Sequence, residues 1–503
     1  MSPLNDKTVT TIHNFVGKTG VRPRPRVQYV VEYMKLSFFG AARQVTGSMF
    51  LLELDDYRIL IDCGTDLDSS KEEREMEYGM FPFDASMINL VLLTHAHIDH
   101  SGQIPNLYRE GYEGQVLCSE PTVDLAEILL YDSAGLHQRR IKKIQKSGKL
   151  SKKYKSIETE PLYMSNHVKI AIDNFVPLAF NRRFKFKDNA WVTFIPAGHL
   201  LGAAHILIEY EKDGGIESIC FSGDVGRKNY PLLSDPDPVP EVDYLVCETT
   251  YGQRRHSDQD DPVDKLKQII QENCIDKPGR IIIPSFSVGR TQALLYTLNK
   301  LYESQGIKPI KVFTDSPLAR SSTEIHEKYS RYLNEEAREF KELEEGLFDF
   351  ENLHYLKSSK ESAAVSSHSE PCIIISSSGM VQGGRVEHHV AENIENSYAT
   401  ILFIGYTTEN TLGAKLRSKD IKELVIKGAR KEVNANIIST DVFSGHGDLD
   451  DLIDFIDQQD PEKLKKVFLV HGETDSMLNF KSIIEEKGFK NIEMPDWGEQ
   501  FEL

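Results

Sequence analysis

Thr94-His95-Ala96-His97-Ile98-Asp99-His100 decides the reading of this chain, because it sets three histidines and an aspartate directly behind the apolar run Asn89 to Leu93. The run reads as a buried strand. At its end the two-residue spacing of His95 and His97 lets both imidazoles face one metal ion, and Asp99 and His100 reach a second. A mixed imidazole and carboxylate set suits zinc, whereas an all-oxygen set would suit magnesium or calcium. A polar turn with surface histidines is the alternative, but chance rarely places such a turn behind a strand and then supplies further ligands downstream. The stretch predicts a two-metal hydrolase.

Those further ligands are sought where a histidine or aspartate ends a strand beside glycine, since function gathers in loops at the ends of a rigid sheet. Four places fit. Tyr57 to Ile61 ends in Asp62-Cys63-Gly64, and Trp191 to Ile195 leads into Pro196-Ala197-Gly198-His199. Ser218 to Ser222 leads into Gly223-Asp224, and Val467 to Val470 into His471-Gly472-Glu473.

With these residues the chain resembles the metallo-β-lactamase superfamily, whose fold is an αββα sandwich with a metal site at one edge of two packed sheets. Asp62 matches its first motif, His95, His97, Asp99 and His100 its second, His199 its third and Asp224 its fourth. The resemblance implies two zinc ions per chain: His95, His97 and His199 on one, Asp99, His100 and His471 on the other, and Asp224 bridging them. It implies that Asp62 orients a ligand rather than binding metal, as such outer carboxylates do.

Between Asp224 and His471 lies an insertion that alternates strands and helices. Arg280 to Pro284 precedes Ser285-Phe286-Ser287-Val288-Gly289-Arg290 and a helix from about Thr291; Lys311 to Thr314 precedes Asp315-Ser316-Pro317 and another helix. The pattern returns at Cys372 to Ile375 before Ser376-Ser377-Ser378-Gly379, and at Thr400 to Ile404 before Gly405-Tyr406-Thr407. Such units imply a parallel, Rossmann-like sheet. No G-x-G-x-x-G fingerprint follows its first strand, which excludes a dinucleotide site there. The expected fold is α/β: an αββα sandwich with an inserted Rossmann-like domain. Its parts are an extension (1–33), the sandwich (34–253 and 427–503) and the insertion (254–426).

A metallo-β-lactamase core interrupted in this way is similar to the β-CASP family of nucleic-acid hydrolases, and three further motifs carry the likeness from about Lys35 onward. They are Glu248-Thr249-Thr250-Tyr251-Gly252, Phe443-Ser444-Gly445-His446-Gly447-Asp448 and Val470-His471-Gly472-Glu473. The turns Ser376 to Gly384 and Gly405 to Gly413 point to bacterial and archaeal ribonucleases similar to the endonuclease subunit of the eukaryotic pre-mRNA 3′-end cleavage machinery.

The implied chemistry can be rebuilt from its parts. Two zinc ions about 3.5–4 Å apart lower the pKa of a shared water from about 16 toward about 7, so that hydroxide attacks phosphorus at neutral pH. The leaving 3′ oxygen then needs a proton. His446 is the candidate donor, and Glu248 on its other ring nitrogen orients it and raises its proton affinity. Asp62 and Asp99 complete the catalytic carboxylates. In the insertion, Ser287 and Arg290 at a helix start offer one phosphate site, and Ser378, Gly379 and Arg385 a second. The same serines also read as plain helix caps, with the arginines on a solvated face.

Other histidines lack a ligand pattern. His205, His388 and His389 are expected at packed or helix-surface positions; His13, His137, His167, His256, His326, His354 and His368 are expected at the surface.

The 503 residues, 40% hydrophobic with no long apolar run, suit a soluble enzyme of two or more cores, and no signal peptide or membrane span is expected. Cys63, Cys118, Cys220, Cys247 and Cys372 fall in or beside apolar strands, so buried free thiols in a reducing cytoplasm are expected. A formal net charge of −18 is awkward for binding a polyanion. Arg139-Arg140-Ile141-Lys142-Lys143 through Lys155 is densely basic, however, and either steers RNA or forms a solvated linker with a break at Ser147-Gly148-Lys149. The segment with Arg22-Pro23-Arg24-Pro25-Arg26 precedes the usual start of such chains near Met34. The end at Leu503 leaves no extra C-terminal domain, which favours endonuclease action over 5′-to-3′ exonuclease action. Against a zinc ribonuclease stand a non-catalytic processing scaffold, which usually loses metal ligands, and a metallo-β-lactamase-fold hydrolase of thioesters, lactams or lactones, which needs neither the insertion nor Glu248 and His446. A homodimer is open on sequence.

Overall fold

The computed structural model describes residues 33–67, 79–147, 160–418 except 213, 259, 305, 345, 367, 369, 406 and 408–410, and 421–503. The arginine-proline segment near residue 24, the basic residues from 148 to 155, and Tyr406 lie outside the described residues.

Two seven-stranded sheets form the sandwich. One runs in the order Gln500–Glu502, Met34–Phe38, Phe50–Leu54, Tyr57–Ile61, Leu90–Leu92, Gln115–Ser119, Phe175–Leu178. The other runs Ile492–Glu493, Lys466–Val470, Tyr244–Glu248, Gly215–Phe221, Ala204–Lys212, Ala190–Pro196, Phe184–Lys187. Strand side chains alternate between faces, and both faces are apolar because both are covered. Phe50, Leu52, Ile59, Ile61 and Leu92 meet Phe194, Ile206, Phe221, Val246 and Phe468 between the sheets. Their neighbours Leu51, Leu60, Val91 and Val116 point outward under helices, as do Leu207, Leu245, Val467 and Leu469 on the far side, where helices Leu449–Ile456 and Thr474–Glu486 cover them. The layers are αββα.

The insertion holds a six-stranded sheet in the order Leu353–Tyr355, Lys311–Asp315, Cys372–Ser376, Arg280–Pro284, Ala399–Phe403, Asn436–Ser439, and every pairing is parallel. Ile281 and Ile283 pack toward one set of helices and Ile282 toward the other, so the sheet is wound on both faces, as a parallel sheet requires. Its last strand, Asn436–Ser439, falls in the 427–503 part of the sequence division, yet pairs with Ala399–Phe403.

The basic stretch before residue 148 is the end of one 28-residue helix, Glu120–Ser147. This portion is therefore no linker, and Lys142, Lys143 and Lys146 stand exposed on it. All six cysteines are buried and free. Among the described residues no helix is long and apolar enough to cross a membrane.

One glycine shows how closely the loops that carry Asp62 and Asp99 are packed. A Cβ on Gly64 would lie 1.6 Å from the carbonyl oxygen of Asp99, and backbone cannot move aside as a side-chain tip can. Gly64→Ala is expected to cost about 1–3 kcal/mol, read by equilibrium unfolding, and to weaken metal binding by displacing Asp99.

Candidate active site

Five strands end at one edge of the sandwich and deliver the site. Asp62 follows Tyr57–Ile61, the His95 to His100 turn follows Leu90–Leu92, His199 follows Ala190–Pro196, Asp224 follows Gly215–Phe221 and His471 follows Lys466–Val470. Asp62 and His471 have φ of 57° and 50°. A non-glycine residue in that left-handed region costs about 1–3 kcal/mol, a strain that tends to collect where a site fixes its geometry.

Two groups of ligand atoms result. His95, His97, His199 and Asp224 form one, and Asp99, His100 and His471 the other, each with ligand atoms within 4.8 Å of one another. Asp224 lies between them: its Oδ1 is 3.2 Å from His100 Nε2 and its Oδ2 is 3.5 Å from His95 Nε2 and 3.4 Å from His199 Nε2.

The surrounding hydrogen bonds fix which imidazole nitrogen is free to bind. His199 Nδ1 donates to the carbonyl of Gly445 at 3.1 Å. His100 Nδ1 donates to Asp62 Oδ2 at 2.7 Å. Thr250 Oγ1 donates to the carbonyl of His471 and accepts from its Nδ1, both at 3.0 Å. In the neutral ring each Nε2 then keeps its lone pair and turns it into the site. His100 and His471 Nε2 approach to 3.3 Å, and His199 Nε2 and His97 Nδ1 to 3.2 Å. Converging lone pairs beside buried carboxylates are the donor set of a divalent cation, and the residues fit one.

The charges agree with this reading. Burial first, and neighbouring histidines second, hold His95 and His199 well below the usual imidazole value, and burial lowers His97 to about 4. Burial opposes ionisation of Asp99, but the nearby imidazoles of His471, His100 and His97 outweigh it and bring it down to about 2. Neutral imidazoles and ionised carboxylates are the forms that bind metal. His100 departs from the pattern: burial alone would lower it, but Asp224 and Asp62 outweigh burial and raise it.

Asp62 is fully engaged. It accepts from the backbone N–H and hydroxyl of Thr94, both at 2.8 Å, as well as from His100, and so aims His100 into the site. Thr94 and Thr250 are partners that ligand spacing does not single out, although both sit inside the quoted motifs.

Next to the cluster, His446 Nδ1 donates to Glu248 Oε1 at 3.2 Å, and its Nε2 lies 3.8 Å from Asp224. Glu248 also accepts from Val225 N at 2.8 Å and Thr250 N at 3.0 Å. Asp224, Glu248 and His446 are close enough to form a third cation group, but Glu248 already holds three donors, which leaves it better suited to orienting His446. Burial lowers the proton affinity of His446, and Glu248 and Asp224 outweigh burial and raise it.

The chain matches the metallo-β-lactamase superfamily over residues 42–272, the Beta-Casp domain over 291–416 and the Zn-dependent metallo-hydrolase RNA specificity domain over 430–495. It is 30% identical to Ribonuclease TTHA0252 of Thermus thermophilus, covering 93% of this chain and 99% of that one. The chain belongs to the β-CASP family of metallo-hydrolases. Transcription termination factor FttA of Methanocaldococcus jannaschii is 31% identical over 92% of this chain and 70% of its own. A crystal structure of an Enterococcus faecalis protein of unknown function shares the fold at a TM-score of 0.51 and 14% identity, over 94% of this chain and all of that one.

The β-CASP insertion corrects several expectations about its own residues. Neither Ser287 nor Ser378 caps a helix: the helix Arg290–Glu303 starts behind Gly289, and Val386–Asn393 starts behind Arg385. Ser287 Oγ instead meets Ser316 Oγ at 2.8 Å, and Ser377 Oγ meets the same hydroxyl at 3.2 Å. Ser378 Oγ bonds the carbonyl of Gln382 at 3.0 Å. Gly379 lies against the Phe286 ring. Arg385, expected on a solvated face or on phosphate, is held at 2.5 Å by the buried carboxylate of Asp315, which also binds His389 at 2.7 Å. Arg290 stacks over Phe286 with no ion pair among the described residues and is near enough to oppose protonation of His446. His256 and His326, expected at the surface, are buried.

Proposed function

We propose that the chain is a ribonuclease that uses two zinc ions to cut RNA internally, leaving 5′-phosphate and 3′-hydroxyl ends. The observation that carries this reading is the Glu248 and His446 pair beside the two ligand groups, because a thioester, lactam or lactone hydrolase has no need of it, and a scaffold needs neither. The curated relatives support it: one is named a ribonuclease and another a transcription termination factor. We assign residues 34–253 and 427–503, apart from the strand Asn436–Ser439 that joins the insertion's sheet, to hydrolysis and 254–426 to substrate grip, in a cytoplasmic protein with reduced thiols.

In this mechanism His95, His97 and His199 would hold one zinc and Asp99, His100 and His471 the other, with Asp224 shared. When bound, the metal supplies Lewis acidity that activates water and neutralises phosphate charge. The chain does the rest. Asp62, Thr250 and the Gly445 carbonyl hold three imidazoles in the binding tautomer. Glu248 occupies Nδ1 of His446, so Nε2 is the atom that gives its proton to the leaving 3′ oxygen as the P–O3′ bond breaks. Arg290 places a guanidinium near that histidine for an adjacent phosphate, and we assign the Ser287, Ser378 and Gly379 turns of the insertion, with Arg385, to further substrate contact.

The test is cleavage of end-labelled linear RNA and of a circle of the same sequence by zinc-loaded protein, with His97→Ala as control. Cutting of the circle, abolished in the control, is expected. Loss of the linear RNA alone would mean exonuclease action, and survival of both would sink the reading. Zinc added to stripped protein at 100 times its dissociation constant is expected to stabilise the fold by about 2.7 kcal/mol per site, seen as a higher melting temperature. If the exposed lysines of the long helix take part, Lys142→Ala, Lys143→Ala and Lys146→Ala together are expected to flatten the log–log dependence of RNA affinity on salt by about 2; an unchanged slope assigns them to solvent alone.

A further inference from the structure

Residues 253–258 lead out of the sandwich toward the insertion, and residues 440–448 lead back. These two segments are tied together immediately beside His446. Asp441 accepts from the backbone N–H of Ser257 at 2.7 Å, the Ser257 hydroxyl at 2.9 Å and the backbone N–H of Asp258 at 3.0 Å. Asp441 Oδ2 also lies 3.8 Å from His256 Nδ1. At the other end of that ring, His256 Nε2 lies 3.0 Å from the carbonyl oxygen of His446. A carbonyl only accepts, so Nε2 carries the proton and donates it.

His256 has little freedom to do anything else. It is 4% exposed, its ring packs on Tyr251 with centroids 4.9 Å apart, and its backbone N–H bonds Asp448 Oδ2 at 2.9 Å. The loop it grips is pinned on either side of His446: Arg227 N donates to the Gly445 carbonyl at 3.2 Å, and Gly447 N to the Val225 carbonyl at 2.8 Å. The carbonyl of His446 itself has His256 as its donor. One imidazole therefore holds the main chain of the residue whose own imidazole faces Glu248 and Asp224.

We propose that His256 is a positioning residue for hydrolysis: its bond to the His446 carbonyl sets the height of the 443–448 loop, so that His446 stays on Glu248 while Nε2 faces the leaving oxygen. This rests on the reading of His446 as the proton donor. A misplacement of about 1 Å can cost about 10²-fold in rate, and loss of the buried donor is enough to let the loop relax.

The experiment compares His256→Ala, His256→Gln and His446→Ala on zinc-loaded, full-length protein with two RNAs. One is natural, and the other carries sulfur in place of the bridging 3′ oxygen at the mapped cleavage position. A thiol is acidic enough, with a pKa of about 8.5 in the cysteine case, for the sulfur to depart with its electron pair and without a donated proton. Expected is a fall in kcat of about 10²-fold for His256→Ala on natural RNA with KM unchanged, little or no fall on the sulfur RNA, and recovery in His256→Gln, whose amide N–H can reach the same carbonyl. Equal slowing of both RNAs by His256→Ala, while His446→Ala spares the sulfur RNA, would overturn the positioning role and leave a structural one. A wild-type rate in His256→Ala would overturn it too. Equal slowing of both RNAs by His446→Ala would remove the proton-donor reading and this proposal with it.

Discussion

His446→Ala is expected to lower kcat for RNA cleavage by about 10²–10⁴-fold, or about 2.7–5.4 kcal/mol of transition-state stabilisation, while the bound metal stays at the wild-type count. The reason is a division of labour in the geometry. His446 Nε2 is 3.8 Å from Asp224, and the two main ligand groups are complete without it. Its Nδ1 is committed to Glu248, a buried carboxylate fixed by two backbone N–H groups. The carboxylate thus aims the ring and favours its protonated form. An alkoxide leaving from phosphorus gains most from a proton delivered at that moment, whereas a leaving sulfur gains little. Metal content measured beside single-turnover rates separates the two roles. A variant that loses metal along with activity would make His446 a ligand, and one that keeps wild-type rates would leave the proton donor unassigned.

The candidate site was legible in sequence because its residues gather behind the ends of short apolar strands, with glycine directly beside His199, Asp224 and His471, a pattern local enough to read without partners. The insertion was legible for a similar reason: four apolar runs, each followed within two residues by serine or glycine and then by a helix, form the repeated strand-turn-helix unit that builds a parallel sheet. Partners far apart in sequence were not. Arg385 looked free for phosphate, but it pairs with Asp315 seventy residues upstream. Ser287 looked like a cap, but Gly289, with φ of 81°, starts the helix instead and frees the serine to meet Ser316 across the sheet. His256 looked exposed because its burial depends on a loop 190 residues away. Motif spacing reports what a strand end presents; it does not report what the returning chain lays over it.

Asp224→Ala is expected to be the more damaging change, with cleavage below detection, and zinc in excess is not expected to restore it. Asp224 is 2% exposed and touches both ligand groups: His95 and His199 on one side, His100 on the other, all within 3.5 Å, and His471 at 3.6 Å. The imidazoles gathered around it, working against burial, hold its carboxyl far below the usual carboxylate range, so it contributes a full negative charge where two cations would otherwise repel each other. Alanine leaves four imidazoles facing one another with no anion between them. Asp62→Asn supplies the contrast. Its amide can still accept from Thr94 but no longer offers His100 a charge, so zinc affinity is expected to fall by about 10–100-fold, the usual loss when an outer partner is changed, and activity to return as zinc is raised. A zinc titration of cleavage rate on both variants decides the matter. Recovery of Asp224→Ala to the wild-type rate would show that the two groups bind metal without a shared carboxylate, and failure of Asp62→Asn to recover would move Asp62 from orienting a ligand to serving as one.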